Sequence, residues 1–263
     1  MRIPIATFRI QFHADFGFNA AKAIIAYLSD LGISDLYASP IFKARQGSLH
    51  GYDIVDPNQL NPELGTEAEF QALIAALQAK KMGWLQDIVP NHMAYDSQNA
   101  YLMDVLENGP ASEFVDYFDI DWDYAYEDIN NRVLTPLLGD FYDRCLERGE
   151  IQLTYDQNGF HICYYELTLH VRIESYAQLI THDFGRLARM LDRQHPDYIK
   201  LLGILYLVKN IQPEISGQQR KDQVAFVKQI LWELYQTNTE VKSLIDQNLK
   251  TFKELQKEEE EKK

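Results

Sequence analysis

Residues Trp84-Leu85-Gln86-Asp87-Ile88-Val89-Pro90-Asn91-His92 decide how this chain is read. The run from Trp84 to Val89 is mostly apolar and β-prone, and it then breaks into a proline, an amide and an imidazole. That is the pattern of a buried parallel strand whose C-terminal end carries polar side chains. In βα architectures this rim is where chemistry sits. A second delivery precedes it: residues 33–39 read as a strand, and the loop that follows carries His50-Gly51-Tyr52-Asp53-Ile54-Val55-Asp56.

Working outward, residues 5–12 predict a first strand. Asn19 is placed to cap a helix whose Ile24, Leu28 and Leu31 share one face, with Gly32 closing it. Thr66 and Glu69 have capping-box spacing ahead of Phe70, Leu73, Ile74 and Leu77, a helical stripe that Gly83 ends. Residues 5–92 therefore read β-α-β-α-β, the opening of a parallel α/β fold. No Gly-rich phosphate loop follows the first strand, so the front part of a (β/α)8 TIM barrel, its first three βα units, is favoured over a doubly wound sheet.

The pattern changes beyond residue 92. Residues 111–139 are dense in Asp, Tyr and Phe. Residues 152–155 and 160–164 flank Asp156-Gln157-Asn158-Gly159 and predict a hairpin with an Asn-Gly turn. From Ser175 onward the chain reads as helical, with Val227, Ile230, Leu231 and Leu234 in one stripe that Leu244, Ile245 and Leu249 continue. The expected organisation is a barrel part at 1–92, a large, mostly helical inserted subdomain at 93–250, and a charged tail at 251–263.

Composition limits the partners. The 263 residues carry a net charge of −14 with 46% hydrophobic content. That is ordinary for a globular protein, but a surface so acidic repels phosphate backbones, so no nucleic acid is expected. Neutral sugars are indifferent to the charge, and 16 Tyr offer faces on which a pyranose can pack. Two cysteines, Cys145 and Cys163, lack metal-ligand spacing and read as reduced thiols. No metal and no cofactor are expected. Nothing resembles a signal peptide or a membrane-spanning run, so no membrane is expected either, and a cytoplasmic location is.

On the segments Ile5–Phe12, Tyr37-Ala38-Ser39-Pro40-Ile41-Phe42, Ser48–Asp53 and Gln86–Ala94, the chain resembles the maltooligosyltrehalose synthase branch of the α-amylase (glycoside hydrolase 13) superfamily. Tyr164-Tyr165-Glu166 and Ser175-Tyr176-Ala177 resemble that branch's inserted region, and the match runs to about residue 252. The resemblance implies intramolecular transglucosylation: the reducing-end α-1,4 bond of a maltooligosaccharide becomes α,α-1,1, in trehalose biosynthesis. It implies a retaining mechanism, with a carboxylate nucleophile and an acid/base about 5–5.5 Å apart. It places Tyr52 under the −1 sugar as a stacking platform and His92 beside that sugar's hydroxymethyl side. Asp87 and Asn91 fall on supporting positions that orient the rim, and His50 and Asp53 flank Tyr52.

The branch's nucleophile lies in an Arg-x-Asp-x-x-x-x-His context on a fourth strand, its acid/base Glu on a fifth, and a further His-Asp pair follows a seventh. None is expected here, so no catalytic residue is assigned. Arg172-Ile173-Glu174 has Glu where Asp belongs, and His182-Asp183 falls in an expected amphipathic helix; both read as decoys. His13, His161 and His170 read as satisfied or surface histidines, and Trp122 and Tyr124 as ordinary packing. The chain thus reads as the front portion of a longer, inactive-alone enzyme. Two alternatives stay open: a fragment of a hydrolytic α-amylase-type enzyme, and a non-catalytic fragment that binds glycan or pairs with a separate chain carrying the rest of the barrel.

Overall fold

The computed structural model describes residues 3–126, 130–211 and 217–260. It divides into two compact units, Met1–Ala100 and Tyr101–Lys263.

The first unit is built on a parallel three-stranded sheet. Strands β1 (Thr7–Ile10), β2 (Asp35–Ala38) and β5 (Gly83–Gln86) lie in the order β1-β2-β5. Their register aligns Arg9 with Tyr37 and Leu85, and Ile10 with Ala38 and Gln86. Because side chains alternate between faces, Ile10, Leu36, Ala38 and Trp84 turn to one side. There they pack with Phe18, Leu28, Leu73 and Leu77 of the connecting helices. Arg9, Tyr37 and Leu85 share the other face. Two edges result, β1 and β5, with β2 between them.

Helix α3 (Glu67–Ala79) starts as its sequence predicts. Thr66 accepts from the Glu69 amide at 3.2 Å and the Glu69 carboxylate accepts from the Thr66 amide at 2.6 Å, a complete capping box. These bonds, the Thr66 amide first, hold the Glu69 carboxyl below its usual range.

The helix expected after β1 differs. It is two short helices, α1 (Phe18–Ala23) and α2 (Ile25–Asp30), separated at Ile24. Gly17, not Asn19, is the N-cap residue, and a Cβ there would lie 2.2 Å from the Leu64 carbonyl oxygen. Only glycine lets the chain enter the helix so close to that backbone. Asn19 is the second residue of the helix and bonds Glu69 instead. Gly32 ends the pair at φ 90°, as expected.

The loop expected over 50–56 is also partly a strand. Here β3 (Phe42–Ala44) pairs antiparallel with β4 (Ile54–Leu60). The pairing shifts register between Phe42 and Lys43, which leaves Pro57 in an irregular stretch where a missing N–H is tolerated.

The second unit begins with α4 (Ala100–Asn108) and α5 (Tyr142–Glu147) and contains an antiparallel sheet, β6 (Ile151–Asp156), β7 (Gly159–Tyr164) and β8 (Leu167–His170). The hairpin is at its expected place, with a correction to its turn. Gln157 and Asn158 form the two-residue connection, while Gly159 takes φ 110° inside the ladder opposite Asp156. Strand β8 was not anticipated, although Leu167-Thr168-Leu169-His170 alternates.

Among the described residues five α-helices follow: α6 (Tyr176–Thr181), α7 (Phe184–Met190), α8 (Pro196–Lys209), α9 (Gly217–Thr237) and α10 (Thr239–Glu260). Val227, Leu231, Leu234, Leu244 and Ile245 are buried, with Ile230 and Leu249 packed against them. His182-Asp183 lies between α6 and α7, not within a helix. Asp183 adopts φ 50°, a conformation in which Asp is tolerated and helix is not continued. The expected charged tail is helical in backbone to Glu260; residues 261–263 lie outside the described residues.

Candidate functional site

The first unit gathers its polar groups at the C-terminal rim of the parallel sheet. Asp87 follows β5 directly, and its amide donates to the Ala38 carbonyl at 3.0 Å. This carries the parallel pairing one residue further and turns the carboxylate onto the face of Arg9 and Tyr37. Asp87 Oδ2 accepts from the Tyr52 hydroxyl and, at 3.2 Å, from the Tyr37 hydroxyl. Arg9 donates to Tyr52 Oη at 3.2 Å and to Gln11 Oε1 at 2.9 Å, with its guanidinium 5.7 Å from the Tyr37 ring centre. Donation to Asp87 pushes the Tyr52 phenol above its ordinary pKa, with Arg9 pulling the other way. Tyr52 in turn raises Arg9.

The loop that presents Tyr52 is braced on both sides. Gln11 Nε2 donates to the His50 carbonyl at 2.9 Å. His50 Nδ1 accepts from the Tyr52 amide at 3.0 Å, and the two rings are 6.1 Å apart. Asp53 accepts from the Ser48 hydroxyl and lies 3.7 Å from His50 and 3.8 Å from Arg45. Gly51 takes φ 75°, and a Cβ there would stand 2.7 Å from the Pro40 carbonyl oxygen, so only glycine fits against the backbone that follows β2.

Of the six residues expected at the site, four converge: Asp87 meets Tyr52 directly, and His50 and Asp53 hold the loop that bears it. Asn91 and His92 do not join them. They are exposed and bond each other, His92 Nδ1 to Asn91 Oδ1 at 2.9 Å. Sequence reasoning missed Arg9, Gln11 and Tyr37 as rim residues. Their signal is the strand register, which sets Arg9 beside Tyr37. Among the described residues no group of three His, Cys, Asp or Glu side chains could hold a metal ion, and no helix is long and apolar enough to cross a membrane.

The Arg172-Ile173-Glu174 decoy and His161 have structural partners. Glu174 accepts from Arg172 Nε at 3.0 Å and from the buried Arg220 at 2.7 Å, which secures the second unit's interior. His161 is buried with Nε2 3.0 Å from Asp156, and its ring is 5.1 Å from that of His170. Burial first, then Lys228 and His161, lowers the His170 pKa from 6.5 to about 4. Its contribution to stability is complete above pH 6.5, because both states are then neutral. The contribution is lost as pH falls from 6.5 toward 4, where the unfolded chain binds a proton the folded one refuses. Urea unfolding followed by helical dichroism should lose about 1 kcal/mol between pH 7 and pH 5, the partial exposure of His170 having screened the full shift. His170→Gln should flatten that slope; an unchanged slope would refute the role given to His170.

Comparison with known proteins bears out the resemblance read from the motifs. Residues 22–137 match the family model of the α-amylase catalytic domain. A Mycobacterium tuberculosis protein provisionally named maltooligosyl trehalose synthase is 42% identical over 146 residues, 53% of this chain and 19% of the relative. A solved glycosyltrehalose synthase superposes with TM-score 0.55 at 35% identity, covering 72% of this chain and 23% of the other. The maltooligosyltrehalose synthase of Arthrobacter ramosus gives TM-score 0.56 at 34% identity, over 64% and 21%. This chain is thus similar to part of an α-amylase-type barrel, and it spans about a fifth of the length of the curated relatives it matches.

Proposed function

We propose that this chain supplies the first part of the catalytic barrel of a maltooligosyltrehalose synthase, an intramolecular transglucosylase that converts the reducing-end α-1,4 bond of a maltooligosaccharide to α,α-1,1. The observation that carries the proposal is the meeting of Tyr52, Asp87, Tyr37 and Arg9 at the C-terminal rim of three parallel strands. A tyrosine fixed by its hydroxyl keeps its ring at a set height, which is what stacking under a pyranose requires. The second unit is an insertion after the third barrel strand, within a 93–250 subdomain. His92 and Asn91 take up their roles at the −1 sugar when substrate and the remaining barrel strands surround them. A chain carrying those strands is the partner, and neither a nucleic acid nor a membrane is. The setting is cytoplasmic.

Transglucosylation needs more than binding. The acceptor is the released glucose's own anomeric hydroxyl, so the site must retain that glucose and exclude water. An aromatic floor serves the first requirement, because its apolar contact does not depend on which bond joins the sugars.

Calorimetric titration with maltopentaose tests the subsite. Tyr52→Ala should weaken binding about tenfold or more, the loss of one stacked ring. Asp123→Ala, in the acidic segment of the second unit, should leave binding unchanged. Equal effects of the two substitutions would overturn the subsite.

A further inference from the structure

We propose that the second unit binds an uncharged, largely apolar small molecule in a cavity on the β6–β8 sheet, a site independent of the glucan reading above. The cavity has a volume of about 530 Å³, within the roughly 300–1,000 Å³ that small-molecule sites occupy. Its wall is formed by the sheet, by the segment 133–138, by Tyr142 of α5 and by Gln178 and Leu179 of α6.

Strand register decides which side chains face it. Ile151 pairs with Tyr164, Leu153 with Ile162, and Ile162 in turn with Leu169. Alternation puts these five on the face that also carries Tyr155 and Phe160. That face is used in two ways. Next to the turn, Tyr155 and Phe160 pack into the helical core, and Phe160 is only 2% exposed. Two residues further along β7, on the same face, Ile162 is 43% exposed. It lines the cavity together with Ile151, Leu153, Tyr164 and Leu169, and Leu137, Leu138 and Leu179 add apolar groups from the other walls. None of these eight residues is buried, so the cavity is open to solvent. An apolar wall kept wet is unfavourable, and a ligand that covers it gains by displacing the water.

The chemistry of the wall selects the ligand. The chain holds 39 acidic and 25 basic residues, yet among the described residues no Asp, Glu, Lys, Arg or His lines the cavity. Charged side chains beside it along the chain are engaged with each other, Asp140 with Arg148 at 2.9 Å and Arg172 with Glu174 at 3.0 Å. A carboxylate, phosphate or ammonium group entering the cavity would lose water without gaining a counter-charge, which is costly. Thr135, Gln152, Ser175 and Gln178 supply uncharged polar groups on the wall. They suit a hydroxyl or carbonyl on an otherwise apolar body better than a sugar ring that bears a hydroxyl on nearly every carbon. Walls contributed by several elements make the site a concavity, which a compact small molecule fills and a flat protein surface does not.

Photolabelling of the full chain with a diazirine-bearing decanol, followed by peptide mapping, tests this. Labelling should saturate and fall mainly on residues 133–138 and 151–169. Decanol should compete it away, and decanoate, the same chain ending in a charge, should compete at least about tenfold less effectively. Ile162→Gln, at a position outside the helical core, should weaken labelling about tenfold with helical dichroism unchanged. Leu134→Ser, on the cavity wall and 78% exposed, is a second variant that leaves the core intact and should weaken labelling in the same direction. Labelling that does not saturate, or that spreads equally to the exposed Ile199 and Tyr206 of α8, would overturn the proposal. So would equal competition by decanoate, displacement by maltopentaose, or unchanged labelling in both variants. Labelling that disappears as protein concentration rises at a fixed excess of probe would place a second copy of the chain in the cavity and overturn it too.

Discussion

Pure protein of these 263 residues should release no sugar from maltopentaose and form no trehalose-terminated product. A retaining glycosyl transfer needs two carboxyl groups flanking the bond, one as nucleophile and one as acid/base. The rim holds Asp87, but two tyrosine hydroxyls donate to its Oδ2, and Asp53 is engaged by Ser48 with His50 and Arg45 beside it. Both are bracing groups, each turned toward the protein. Glu174, the nearest approach to the family's nucleophile motif, is clamped between Arg172 and Arg220. The expected rate is that of the uncatalysed reaction, a loss of at least about 10⁶-fold against a working enzyme. Turnover above a heat-denatured control, with product analysis separating trehalose-type from hydrolytic products, would refute this.

The second large effect concerns association. The parallel sheet of the first unit has two edges, β1 and β5, and neither is paired on its outer side among the described residues. Parallel sheets are stable when covered and closed, and unpaired edges with apolar neighbours invite pairing between chains. Ile5, beside β1, and Ile88, just past β5, are largely exposed. The chain expressed alone is therefore expected to associate or precipitate, while the helices of the second unit stay ordered around Val227, Leu231 and Leu234. Hydrogen exchange should show residues 84–89 protected about a hundredfold less than residues 227–234. A monodisperse monomer in light scattering, unfolding in one transition with equal protection in both segments, would contradict this.

The parts of the fold that were legible in the sequence are those set by local chemistry. Thr66 and Glu69 announce a helix start because both halves of the capping box lie within one turn. Trp84 to Gln86 announces a strand because β-prone residues run up to a polar break, although Leu85, on the face of Arg9 and Tyr37, is exposed. What was missed depends on distant backbone. Asn19 has the chemistry of a cap, but the approach of Leu64 reserves the entry for Gly17, two residues earlier. Pro57 speaks against a strand locally, and only the shifted pairing with β3 allows one. The rim is similar. Tyr52 and Asp87 were named from their contexts, whereas Arg9 and Tyr37 acquire meaning only when parallel register sets β1 beside β2. Asn91 and His92 were grouped with Tyr52, but β5 ends at Gln86, and past Asp87 no sheet pairing carries them toward it.

The bonds on Tyr52 also have a consequence for the heat of binding. With its hydroxyl shared between Asp87 and Arg9, and its amide on His50, the side chain has few rotamers left before any ligand arrives. Ordering a free side chain on association costs about 0.5–1.5 kcal/mol, and Tyr52 enters with that cost already met within the folded unit. A pyranose settling on the ring would gain contact enthalpy without an opposing entropy of ring immobilisation. The strength of the proposed subsite would then be governed by how well the ring is held in the absence of sugar, and Arg9, which bonds the Tyr52 hydroxyl, would become a determinant of affinity.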